Sequence, residues 1–257
     1  SLNVGETRLA FSVEMEISQD GQLVNHEIFE SVIKVKYKIS YNKLYELLEN
    51  NTPELKNEFK EHINELILMR KLAAVLKRRR DEEGSVNFDF PETKVIVDDN
   101  GETIDIMPYR ITFANNIIEE FMLICNRTVS EEFYWREIPF MYRVHDKPDQ
   151  TRVSELARVV GNLGFTLKGK AGGDIHPKAF QTLIESAKGK PAENLINLLA
   201  LRAMQKAKYS NECSGHFGLS VKYYSQFTSP IRRYPDLLIH RIMKAVLRGE
   251  FTDKMFS

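Results

Sequence analysis

Gly215 to Arg241 reads GHFGLSVKYYSQFTSPIRRYPDLLIHR, and within it Thr228-Ser229-Pro230-Ile231-Arg232-Arg233-Tyr234-Pro235-Asp236 is the physically unusual part. Ser229 is a good helix N-cap and Pro230 suits a first helical position, so the pattern predicts a helix from Ser229 to Leu247. That start places two arginines at the positive end of a helix dipole, at a cost of about 0.3–1 kcal/mol per exposed charge. An anion at the site removes the cost. Free N–H groups, the Thr228 and Ser229 hydroxyls and two guanidinium forks then form a phosphate receptor. The competing reading is an ion pair between Arg232 or Arg233 and a nearby carboxylate such as Asp236.

Outward from this stretch, the pattern is mixed. Leu9, Phe11, Val13, Met15 and Ile17 alternate as one strand face, Asp20-Gly21 supplies a turn, and Leu23 to Ile39 is rich in β-formers, which predicts a hairpin. Helical pattern covers Tyr41 to Leu48 and resumes at Pro53, capped by Thr52, up to a basic last turn at Lys77 to Arg80. Val86 to Phe90, Lys94 to Val97 and Glu102 to Met107 read as extended, the last two joined by a tight turn at Asp99-Asn100-Gly101. A long helix over Thr112 to Phe133 is expected to bury Ile117, Ile118, Phe121, Met122 and Cys125. A strand at Pro139 to Val144, a helix at Gln150 to Leu163, a loop at Lys168 to Gly173 and helices at Pro177 to Ala187 and Ala192 to Lys208 complete the chain. One α+β domain over residues 1–257, antiparallel hairpins packed with amphipathic helices, is the economical reading.

Composition narrows the function little. The 257 residues carry 36 basic and 36 acidic side chains, so any nucleic-acid affinity must come from local clustering. Cys125 and Cys213 have no metal-like spacing, which fits a reducing, cytoplasmic setting. No apolar run approaches a membrane span. The start, SLNVGETRLAF, has no Met and no leader pattern, and suggests a chain cut from something longer.

GHFGL followed by YYSQFTSPIRRYPDLLIHR closely resembles the ribonuclease II/ribonuclease R family of 3′-to-5′ exoribonucleases. So do PFMYRVHDKP (Pro139 to Pro148), NFDFP (Asn87 to Pro91), ANNIIEE (Ala114 to Glu120) and the Ser40-Tyr41 pair before a helix, in matching order over residues 1 to about 250. The resemblance implies a catalytic domain that threads single-stranded RNA through a basic channel and releases nucleoside 5′-monophosphates with divalent cations, usually Mg²⁺. It implies that Tyr41 and Phe88 stack on terminal bases, that Glu119 holds the 3′-terminal nucleotide, and that Arg232 neutralises the attacked phosphate. Arg233, Ser229 and Thr228 are weaker candidates for RNA contacts. The bland alternatives are ordinary aromatics at 41 and 88, a solvated Glu119, and structural roles for His145, His216 and His240, with Asp236 and His240 able to pair one turn apart.

One family feature is missing. The aspartate cluster of DxxxxxDxDD type that builds the family's metal site does not occur, since Asp98-Asp99, Asp146 and Asp149 lack that spacing. Metal ligands are therefore expected outside this chain, and the isolated chain is expected to be inactive and monomeric. Two other classes compete: a non-catalytic RNA-binding relative without the aspartates, and a helical protein-interaction module.

Overall fold

Alternating apolar residues set the first element. In the computed structural model, which describes residues 2–88, 92–109, 111–169 and 175–252, β1 (Thr7–Ile17) and β2 (Leu23–Lys34) pair antiparallel, Thr7 facing Lys34 and Val13 facing Ile28. Gly21 makes the turn at φ 81°, and a Cβ there would lie 3.1 Å from Val75, so the hairpin tip rests against the third helix. β2 ends at Lys34, short of the expected Ile39, but exposure keeps alternating through Ser40.

Three helices follow: α1 (Tyr41–Leu48), α2 (Pro53–Glu58) and α3 (Ile63–Glu83). The single helix expected from Pro53 is split, because Phe59 is buried and His62 stacks on Tyr37 with ring centroids 4.0 Å apart. Thr52 does not cap; its hydroxyl donates to the Glu46 carbonyl. α3 also runs past Arg80 to a left-handed Gly84, where a Cβ would meet Lys178 N at 3.2 Å. Lys77 and Arg79 therefore meet Asp81 and Glu83 of the next turn, and the helix dipole does not explain the basic run.

β3 (Glu92–Val97) and β4 (Thr103–Tyr109) form a second antiparallel hairpin. α4 (Phe113–Trp135) is the spine of the fold. Ala114 and Ile117 join Leu44, Leu47, Phe59 and Leu66 in one core cluster, while Val129 and Phe133 join Phe140, Ile239 and Met243 in another. The expected stripe is partly wrong. Ile118 and Met122 are exposed, and Glu120, Asn126, Thr128 and Ser130 are buried instead. The polar side is buried because most of these groups meet partners on α3 and on the 224–228 segment.

β5 is confined to Tyr142–Val144 and pairs with β6 (Lys208–Ser210). α5 (Gln150–Asn162), α6 (Pro177–Ala187) and α7 (Glu193–Ala203) surround a third cluster centred on Phe180, Leu183 and Ile196. The helix expected to reach Lys208 stops at Ala203, since Lys208 to Ser210 gain ladder partners in β5. Of the expected 168–173 loop, residues 170–173 lie outside the described residues, as do 89 and 90 of the 86–90 segment. α8 (Tyr234–Leu247) closes the chain against the Phe133 cluster. Among the described residues no helix is long and apolar enough to cross a membrane.

Candidate functional site

The Thr228–Asp236 segment takes its shape from two anchors. Upstream, the Phe227 N–H donates to Asn126 Oδ1 of α4 at 3.1 Å, and Ser225 Oγ lies 3.2 Å from Ser130 Oγ. Downstream, Asp236 is fully buried, accepting from the Ser229 N–H at 2.9 Å and from Arg233 Nε and Nη2 at 2.9 and 2.7 Å. The helix consequently starts at Tyr234, not Ser229, with Pro235 in its first turn. Ser229 instead heads a turn, its carbonyl accepting from the Arg232 and Arg233 N–H groups. Asp236 prevails as the organiser because a buried carboxylate must be matched by charge and hydrogen bonds.

The two arginines therefore differ. Arg233 is committed to Asp236, which realises the ion-pair reading for that residue. Arg232 is exposed, and its guanidinium makes no hydrogen bond or ion pair among the described residues. Thr228 Oγ1 is sequestered from solvent without a hydrogen-bond partner among them. His240 does not pair with Asp236; its Nε2 lies 2.7 Å from the Phe227 carbonyl.

Two turns before Asn126, about 10.5 Å along the same face of α4, stands Glu119. It is half exposed, and Arg80 Nη2 approaches it at 3.9 Å. Arg80 is mainly bound elsewhere: its Nε and Nη2 donate to the buried Glu120, and its Nη1 to Ser85 Oγ and Asn87 Oδ1. Through Arg80 the structure thus brings together the Glu119-Glu120 pair and the backbone that carries Phe88. Phe88 itself is half-buried against the Phe180 cluster. Tyr41 is 42% exposed at the start of α1, whose Leu44 and Leu47 pack with Ala114 and Ile117 of α4. Ser40 caps that helix by accepting from the Lys43 N–H.

From sequence, Arg80 enters only as the end of a basic last turn, Glu120 only within the ANNIIEE resemblance, Asp236 as a possible ion-pair partner, and Asn126 not at all. Arg80 carried a signal. It continues the buried stripe Leu66, Ala73, Leu76 at the next i+4 step, and Glu120 continues Ile117 at i+3, so two charges fall on two buried faces.

Beneath Glu120 a cavity of about 340 Å³ is lined by Arg79, Arg80, Glu83, Arg127 and Tyr224, and by the Gly21–Leu23 turn, but by none of the candidate residues. His145, which is buried, and His216, which is partly buried, form a separate pair with ring centroids 5.0 Å apart. Each Nδ1 accepts a backbone N–H, from Gly218 and Leu219 respectively. Burial, reinforced by His145, pushes His216 down to about 3. Burial also lowers His145, whose Nε2 completes no hydrogen bond although the Gln205 carbonyl favours its protonated form. Among the described residues no three His, Cys, Asp or Glu side chains gather as a cation site.

The RNB domain model matches residues 1–249. Ribonuclease R of Aquifex aeolicus is 44% identical over 253 residues, covering 98% of this chain and 36% of that protein. Ribonuclease R of Thermotoga maritima is 40% identical over 261 residues, covering all of this chain and again 36% of the relative. Mycoplasma genitalium RNase R, solved in complex with ribose-methylated single-stranded RNA, superposes with TM-score 0.90 at 27% identity over 99% of this chain and 40% of its own. The chain spans about a third of the length of these curated relatives, and it belongs to the RNB domain family.

Proposed function

We propose that this chain is the substrate-gripping part of a hydrolytic 3′-to-5′ exoribonuclease that degrades single-stranded RNA to nucleoside 5′-monophosphates. The observation that carries the reading is the contrast between its two arginines. Arg233 and the buried Asp236 fix the segment, leaving the adjacent Arg232 exposed and unpaired among the described residues. A guanidinium held on such a frame, with no partner among the described residues, suits an anion that arrives from outside.

Tyr41 and Phe88 stack on bases, which suits a binder without sequence preference because every base offers a π-face. Glu119 is open enough to accept hydrogen bonds from the sugar of the terminal nucleotide, with the Arg80 guanidinium 3.9 Å away. Arg232 offsets charge that builds on the attacked phosphate. Ser229, whose carbonyl accepts from the Arg232 and Arg233 N–H groups, holds the turn that presents Arg232, and Arg233 acts by orientation more than by contact. The relative solved with single-stranded RNA supports this choice of partner. Divalent cations, Mg²⁺ by family, would supply the activated water, and their ligands belong to residues other than those of this chain.

The test is binding of a 5′-fluorescent single-stranded oligoribonucleotide to the purified chain, followed by anisotropy. Tyr41→Ala and Phe88→Ala should each weaken binding by about 1–3 kcal/mol, with the fold preserved by circular dichroism. Wild-type protein that fails to bind the oligonucleotide would overturn the reading.

A further inference from the structure

We infer that Lys34, Lys36 and Lys38 form a phosphate track that leads a single RNA strand to Tyr41; this deepens the reading above and rests on it.

Exposure alternates without a break from Ser31 to Ser40, with Lys34, Lys36 and Lys38 on the open side. The inward side is fixed. Val35 is bridged to Val4 and accepts from the Gly5 N–H at 2.8 Å, Tyr37 stacks on His62 and meets Phe59 edge-on, and Ile39 packs on the Leu47 cluster. A one-residue slip would expose Tyr37 and Ile39 and bury the lysines, so the register is strongly set. In extended chain the ammonium groups then stem from points about 6.6 Å apart, in line. The row ends directly at Tyr41, the exposed first residue of α1, because Ser40 starts that helix.

The row has no internal explanation. None of the three lysines makes a hydrogen bond or ion pair among the described residues, whereas Lys43, Lys77, Lys208 and Lys244 each meet a carboxylate. In a chain with zero formal charge, three unmatched cations in a line are a local feature. At its far end the row stops at the exposed cross-strand pair Val32 and Leu9, which bounds it to three cations. A straight row ending in an aromatic ring fits one strand with bases turned to the ring and phosphates to the lysines; a duplex would have to unstack to use both.

The experiment measures anisotropy of 5′-fluorescent oligouridylates of four and ten nucleotides on the whole chain between 50 and 300 mM salt. Wild type should bind the ten-mer more tightly. Lys34→Gln/Lys36→Gln/Lys38→Gln should lose most of that length advantage, and the slope of log affinity against log salt should become shallower by about 2. The single variant Lys36→Gln, shallower by about 0.7, guards against a misfolded triple variant. Tyr41→Ala should weaken both lengths. If wild type binds and Tyr41→Ala weakens it, but the triple variant keeps slope and length dependence, the track is overturned and the clamp stands; the lysines then only discourage edge-to-edge pairing. If the triple variant loses affinity for duplex DNA as much as for the ten-mer, the row is a general polyanion surface and the track is likewise overturned. Wild type that binds neither oligouridylate overturns both readings.

Discussion

Arg80 grips the buried Glu120 with Nε and Nη2, at 3.1–3.2 and 2.6 Å, while its Nη1 holds Asn87 at 2.7 Å and its edge faces Glu119 at 3.9 Å. One side chain of α3 thus sets the positions of a carboxylate and an aromatic-bearing loop. Both partners of the ion pair are largely out of water, so breaking it leaves an uncompensated charge inside.

Arg80→Met is expected to destabilise the chain by about 3–5 kcal/mol, read from the urea midpoint at constant m-value. Adding Glu120→Leu to Arg80→Met should recover much of the loss, because two apolar groups of similar volume remove both desolvation costs. A double variant no more stable than the single one would place the effect in lost packing.

Arg232 and Asp236 should separate stability from function. Arg232→Ala is expected to change stability by less than about 0.5 kcal/mol, because Arg232 is exposed and has no partner among the described residues. Asp236→Ala should cost about 3 kcal/mol or more, since it strands Arg233 and the Ser229 N–H. Paired thermal and urea unfolding of the two variants checks the contrast.

Placed within a full-length exoribonuclease of this family, Arg232→Ala should depress kcat far more than RNA affinity, because its contact strengthens as charge develops on phosphorus. Equal losses in kcat and affinity would make it a ground-state contact. The 257-residue chain alone should release no nucleoside monophosphate with Mg²⁺ present. Thin-layer or mass-spectrometric detection of monophosphates from a labelled oligonucleotide would refute that expectation.

Acid should loosen the chain before its carboxylates titrate. His216 falls to about 3 in the folded state and returns to the ordinary 6.5 when unfolded. The unfolded chain therefore binds more protons below pH 6.5, and stability fully present above that value is lost as pH falls toward 3. Between pH 7 and 5 this residue alone should cost about 2 kcal/mol, with His145 acting in the same direction. Chemical denaturation at several pH values should show the slope, and His216→Asn should be less stable at pH 7 but flatter with pH.

The sequence alone determined the local elements and the family. Period-2 alternation in Leu9 to Ile17, the Asp20-Gly21 turn and the long apolar periodicity of α4 each act within a few residues, so their signals survive without a tertiary context. SPIRRYPD and its companion motifs carried the resemblance that the RNB match bears out. Tertiary structure alone decided the rest, because it depends on which distant group is buried opposite which. Asp236 is fully buried, which draws in Arg233 and moves the helix start from Ser229 to Tyr234. Glu120 takes Arg80 from what reads as a dipole-matched helix end. Burial on several sides turns α4 so that Asn126 and Ser130 face inward and Met122 outward. A buried charge or amide is tolerable only with its partner in place, and no local pattern names a partner 40 or 100 residues away.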